Sequence, residues 1–171
     1  NLQFKADDSI VNILIQGDTL TSLIKRNDLF NLDILQEQRK KIETTFKNRG
    51  FYNISKEFVF CEADTNLNSH KVNLIMTVKN ALITDSLVFL PRKYRIRKVT
   101  VLCNSDLLVQ PDSTLHPDTV IVDGIQFIYP AGRSIDASIL ASNIFIMPGL
   151  LYSLNYNDIT YRNLTSLKLF K

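Results

Sequence analysis

The feature that most constrains this chain is a change of hydrophobic period at Gly50. Before it, in L-D-I-L-Q-E-Q-R-K-K-I-E-T-T-F-K-N-R-G, Leu35, Ile42, Thr45 and Phe46 recur at helical spacing and share one stripe. Asp33 is the expected N-cap, and Gln36 completes a capping-box pattern three residues later. Glu37 lies near the positive end of the helix dipole, Lys47 and Arg49 near the negative end. Gly50 supplies the left-handed residue at which such helices stop. After it the period falls to two. F-Y-N-I-S-K-E-F-V-F-C-E-A is expected to start a strand at Phe51 and Tyr52, with Ile54, Phe58 and Phe60 on one face. K-V-N-L-I-M-T-V-K sets Val72, Leu74, Met76 and Val78 against Lys71, Asn73, Thr77 and Lys79. The polar stretch Asp64 to Ser69 joins the two runs as an antiparallel hairpin. One apolar face of that hairpin needs a cover, and the preceding helix has the matching stripe.

Upstream, Asp7-Asp8-Ser9 before I-V-N-I-L-I reads as the start of a short helix stopped at Gly17-Asp18, although Ile10, Val11, Ile13 and Ile15 suit a strand as well. Residues 1–80 then form one module, 81–92 a linker, and 93–171 a second module. In the second, Tyr94 to Cys103 has strand character, and Asn104 to Asp118, with Pro111 and Pro117, is a loop or excursion. D-T-V-I-V-D-G-I-Q-F-I-Y-P follows as an extended ribbon and Ser134 to Leu140 as a short helix. Ile159, Leu164, Leu167 and Phe170 return to helical spacing. A weak repeat links the halves: Ile24-x5-Phe30-x-Leu32-x9-Ile42 recurs as Ile146-x5-Tyr152-x-Leu154-x9-Leu164, with helices starting near Asp33 and Asn157. A unit of strand, helix, helix, strand, strand would have its first strand missing or short in the first copy. It would lack its last two strands in the second, as in a fragment truncated at both ends. The last helix is then expected to expose its apolar face, so that the second copy is disordered, pairs with another chain or borrows a strand.

Composition excludes more than it suggests. With 45% hydrophobic residues, 22% charged, and only 5 Gly and 5 Pro, the chain is globular and not low-complexity. Lys+Arg 20 against Asp+Glu 17 gives +3, too small an excess to argue for a nucleic-acid partner. No apolar run approaches the roughly 18 residues of a membrane-spanning helix. Cys61 and Cys103 read as two buried thiols and not as a bridge. His70 and His116 have no ligand partners at metal-site spacing, and no G-x-S-x-G, phosphate-binding glycine loop or C-x-x-C occurs. No catalytic, metal-binding or cofactor-binding residue is therefore expected. The one charge cluster is Arg92, Lys93, Arg95, Arg97 and Lys98. It could meet nucleic acid, acidic lipid headgroups or an acidic partner, or be only the solvated face of a strand, the simpler reading. A small α+β nucleic-acid-binding module using residues 92–98 is the alternative function.

The run from Asp33 through G-F-Y, followed by F-V-F-C-E-A-D-T and V-N-L-I-M-T-V, resembles POTRA domains, the polypeptide-transport-associated modules of Omp85-type outer-membrane assembly proteins. The resemblance rests on Arg39, Ile42, Phe46 and Gly50 with its two aromatics, on Ala63-Asp64-Thr65, on Y-R-I-R-K-V, and on Pro148-Gly149-x2-Tyr152-Ser153. It implies an α+β fold of tandem β-α-α-β-β modules, each with two helices on a small mixed sheet. It also implies a periplasmic location before a C-terminal membrane β-barrel, with accessory assembly proteins and unfolded barrel substrates as partners and no enzymatic role. The mechanism it implies is strand addition at an exposed sheet edge, here around Glu57, Phe58, Val59, Phe60 and Cys61. For Phe58 and Phe60 themselves, a plain core role is the simpler expectation.

Overall fold

A computed structural model describes residues 2–7, 12, 22–25, 27–65, 71–84, 87–89, 91–103, 117–129 and 135–167. Contacts divide the chain into two units, residues 1–47 with 51–92, and residues 48–50 with 93–171. Among the described residues the chain is α+β, with three α-helices and two mixed sheets of three strands each.

In the first unit, β1 (Leu2–Ala6), β2 (Val59–Asp64) and β3 (Asn73–Val78) form a sheet in the order β1-β3-β2. β1 runs parallel to β3, with Phe4 opposite Met76, and β2 runs antiparallel, with Cys61 opposite Met76. The first strand, expected to be missing or short, spans five residues, because L-Q-F-K-A alternates and turns Phe4 into the core. Leu74, Met76 and Val78 point inward as their alternation requires. The stretch expected to be a linker contains a two-stranded ribbon, β4 (Ala81–Thr84) with β5 (Leu87–Phe89). Both of its segments are apolar and partly β-branched, which favours pairing over an open linker. Of the helix expected after Asp7-Asp8-Ser9, only Asn12, which is helical, falls within the described residues.

Helix α1 (Leu32–Lys47) buries Leu35, Ile42 and Phe46 along the expected stripe, and also Gln38. Its start differs from the expectation. The N-cap is Asn31, whose Oδ1 accepts the Asp33 N–H at 2.8 Å while its carbonyl accepts the Leu35 N–H at 3.2 Å. Asp33 therefore sits inside the helix, and Gln36, instead of closing a capping box, accepts from Arg39 at 3.0 Å. At its C-terminus the helix stops before Gly50, as expected. That glycine has φ 98°, and the Phe51 N–H reaches back to the Phe46 carbonyl at 3.1 Å, the six-to-one bond of a Schellman cap. The Phe51 ring meets Phe46 edge-on, 5.6 Å between centroids and 78° between planes. Alanine at this φ costs about 1–2 kcal/mol, so Gly50→Ala should lower the urea midpoint correspondingly, and Gly50→Asn less.

Phe51 and Tyr52 do not begin a strand. Ser55 caps a 3-10 turn, Lys56–Phe58, and β2 starts only at Val59. The turn resets the phase of the ribbon. Val59 is fully buried and Phe60 faces outward at 46% exposure, the reverse of the expected alternation, although Ile54 remains in the core.

In the second unit, β6 (Val99–Leu102), β7 (Asp118–Val122) and β8 (Ile125–Tyr129) form a sheet in the order β6-β8-β7, with β6 parallel to β8 and β7 antiparallel. The expected single ribbon folds on itself at Asp123-Gly124, both at positive φ (52° and 78°), as a tight hairpin turn demands. Most of the excursion before it, 104–116, lies outside the described residues. Helix α2 (Ala137–Ala141) is capped by Asp136 and helix α3 (Leu154–Ser166) by Ser153. Leu164 and Leu167 of the last helical segment pack on the core of Ile125, Phe127, Tyr129 and Leu140. The apolar face expected to lie open is thus partly covered by its own sheet, because the β7–β8 hairpin supplies strands that the expectation lacked. Phe170 is outside the described residues. The repeat marks equivalent places: Leu32 and Leu154 each open a helix, behind Asn31 and Ser153.

Candidate partner-binding edge

β2 is an edge strand of its sheet. Its register decides which backbone groups it presents. The Lys79 N–H bonds to the Phe58 carbonyl at 2.9 Å, and the pairing continues as Phe60 with Thr77, Glu62 with Ile75 and Asp64 with Asn73. In an antiparallel ladder alternate residues turn their N–H and C=O inward, so Val59, Cys61 and Ala63 turn theirs outward. Val59 is already used on both sides. Its N–H bonds to the Lys56 carbonyl, and its carbonyl accepts from Arg39 Nε at 2.8 Å. The open template is therefore Cys61 and Ala63.

Arg39 positions this edge. Besides Val59 it donates through Nη2 to the Lys56 carbonyl at 2.9 Å, with the Glu57 carboxylate 3.6 Å away. Both carbonyls belong to the 3-10 turn and its exit, so one planar guanidinium on α1 holds the entry to β2. Glu43 adds to the same seam, pairing with Lys47 at 2.6 Å and accepting the Lys56 N–H at 3.2 Å. Gln38 does similar work on the other side of α1, where its Oε1 accepts the Leu23 N–H at 2.7 Å.

Of the five residues expected at the edge, Glu57 and Phe58 lie in the 3-10 turn, Val59 points into the core, and only Phe60 and Cys61 lie on open strand. Phe60 presents its ring on the outer face, with the Lys79 ammonium 4.9 Å from its centroid and Lys79 also 3.5 Å from Glu62. Cys61 has a free thiol. Burial pushes it above the usual range; the Arg39 charge opposes that shift and Glu62 adds to it. Cys103 is likewise a free thiol raised by burial, with the neighbouring Tyr129 acting in the other direction. Ala63 escapes a reading by periodicity because its outward backbone depends on the 3-10 turn. The one local signal of that turn is Ser55, whose Oγ accepts the Glu57 N–H at 3.3 Å.

The basic residues occupy a different kind of segment. β6 begins at Val99, so Tyr94 to Lys98 precede the strand instead of opening it. Their backbone pairs locally instead: the Ile96 N–H bonds to the Leu150 carbonyl at 2.8 Å, and the Tyr152 N–H to the Tyr94 carbonyl at 2.9 Å. Arg95 donates to the Gly149 carbonyl at 2.9 Å, while Arg92, Lys93, Arg97 and Lys98 are exposed. His70 and His116 fall outside the described residues. Among the described residues, no three His, Cys, Asp or Glu side chains gather as a metal site would require.

No family model and no curated protein matches the chain. Two solved structures are among those it is similar to. One is BamA POTRA3-5 of Haemophilus influenzae, at 12% identity over 99% of this chain and 85% of that one, with a TM-score of 0.41. The other is the N-terminal domain of Omp85 from the thermophilic cyanobacterium Thermosynechococcus elongatus, at 11% identity over 98% of this chain and 84% of that one, with a TM-score of 0.30.

Proposed function

We propose that the chain is a periplasmic scaffold of an outer-membrane β-barrel assembly or translocation protein. It binds partner proteins and unfolded substrates by strand addition at β2. The observation that carries this reading is the edge itself, where Cys61 and Ala63 turn their peptide groups outward beside the exposed Phe60 ring. The POTRA-like residue pattern between Asp33 and Asn80 supports the same reading. Backbone is the ligand in such a contact, so many partner sequences are accepted provided they can extend. Accessory assembly proteins, unfolded barrel strands and a barrel on the same full-length protein are the partners that fit. No chemistry on the partner is needed, and the role is not enzymatic.

An extended octapeptide of alternating apolar and polar residues, titrated into the isotope-labelled chain, tests the mechanism. Amide shifts are expected to concentrate on Cys61 to Asp64. Ala63→Pro removes one outward N–H without touching the ladder to β3, and edge positions tolerate proline. Affinity should fall by about tenfold or more, the scale of losing a main-chain hydrogen bond together with the steric approach, while far-UV CD and the melting midpoint stay close to the parent. Unchanged binding to Ala63→Pro, or equal binding of a backbone N-methylated peptide, would refute strand addition at β2.

A further inference from the structure

The second unit carries an apolar pocket beside its basic ribbon that edge pairing does not explain. Residues 94–96 pair with 149–152, and next to this ribbon Ile96, Phe145, Met147, Leu150 and Tyr156 help to line a cavity of about 100 Å³. Leu150 and Tyr156 also border an adjoining cleft with Arg95. Phe145, Leu150 and Tyr156 all remain exposed, at 42%, 47% and 44%. Isolated apolar residues on a surface are ordinary; these three instead border one recess and make its rim a continuous apolar surface.

Charge narrows what that is. From Lys93 to Cys103 the chain has four cations and no carboxylate, and from Ala137 to Asn157 it has no charged residue at all. Arg95 is exposed, and its bond to the Gly149 carbonyl orients the guanidinium beside the cleft. A planar guanidinium so oriented has further N–H groups with which to take up a carboxylate. The volume sets the apolar part. A cavity of roughly 150 Å³ accepts a benzene ring, so this smaller recess suits one aliphatic side chain and not a nucleobase or an acyl tail.

We propose that this surface is an anchor site for an acidic peptide segment of a partner protein, with one aliphatic side chain in the pocket and a neighbouring Asp or Glu carboxylate on Arg95. It is a side-chain readout on the second unit, independent of main-chain pairing at β2 on the first. A single buried anchor ringed by weaker polar contacts is the usual energetic layout of a protein interface.

The test uses the whole 171-residue chain and fluorescein-labelled octapeptides of Asp and Glu with one central Leu, Ile or Val, read by fluorescence anisotropy. A parallel series replaces the central residue with Ser, and further arms offer a mixed-sequence single-stranded oligonucleotide and vesicles of phosphatidylglycerol with phosphatidylcholine. At least one aliphatic peptide should bind, with affinity falling about tenfold for the Ser version and by a similar factor in Arg95→Gln. Leu150→Asp should weaken binding as much; its side chain is half exposed, so it serves where Arg95→Gln disturbs folding by CD. The proposal is overturned if no peptide binds at about 1 mM, a limit of roughly 4 kcal/mol. It is equally overturned if Ser and aliphatic versions bind alike, or if the oligonucleotide or the vesicles bind more tightly than any peptide through Arg95 and Leu150.

Discussion

Phe46→Ala is expected to lower the unfolding free energy of the first unit by about 3–5 kcal/mol, the range for removing a fully buried phenylalanine. Phe46 is 1% exposed and Phe51 2%, and both belong to the cluster containing Phe4, Ile42, Ile54, Val59 and Met76. The lost ring removes apolar contact from α1 and the sheet together, and it also removes the partner of the Phe51 edge-on contact. Phe51→Ala should cost a similar amount. The double variant should cost less than the sum by about 0.5–1.5 kcal/mol, because the ring–ring contact is counted in each single loss. The chain has no Trp, so urea unfolding is best followed by far-UV CD. A loss below about 1 kcal/mol for Phe46→Ala would mean that the helix and sheet are not packed through this pair.

The parts of the fold legible in the sequence are those fixed within one element. The stripe of α1 and its stop at Gly50 follow from helical spacing and from one residue's tolerance of positive φ. The inward set of β3 follows from its alternation alone. The phase of β2 is different in kind. It depends on a 3-10 turn held by Arg39 from a helix 20 residues earlier, and within F-Y-N-I-S-K-E-F-V-F only the capping Ser55 hints at it. The Asp123-Gly124 turn was available to local reasoning, since a two-residue Asp-Gly step between alternating apolar runs is a strong hairpin signal. The unbroken apolar character on both sides makes it easy to mistake for one long ribbon. The edge position of β2 is the least local property of all. It requires β1, some seventy residues upstream of β3, to lie parallel on the far side of that strand, with Phe4 opposite Met76. Spacing cannot supply such a pairing; the resemblance to POTRA modules suggests it, and the register then moves the open template from Glu57–Cys61 to Cys61 and Ala63.

Arg39→Ala should cost about 3 kcal/mol, because two charge-assisted bonds to backbone carbonyls are lost and the acceptors Lys56 and Val59 must find water. The Arg39 side chain is partly shielded, 20% exposed, and its bond to Val59 is part-buried while that to Lys56 lies at the surface, so most of the loss comes from the Val59 carbonyl. Arg39→Lys keeps the charge but not the fork. One ammonium cannot bridge both carbonyls at 2.8 and 2.9 Å in the same geometry, so roughly half the loss should remain. Hydrogen exchange separates this clamp from a general loss of stability. In Arg39→Ala the amides of Phe60 and Glu62 should lose protection before those of β3, since the entry to β2 is what the clamp holds. The same variant bears on binding. With the Val59 carbonyl released, an added strand has one more outward acceptor, and peptide-induced amide shifts should extend from Cys61 back to Val59. If they still begin at Cys61, the 3-10 turn and not Arg39 sets where pairing can start.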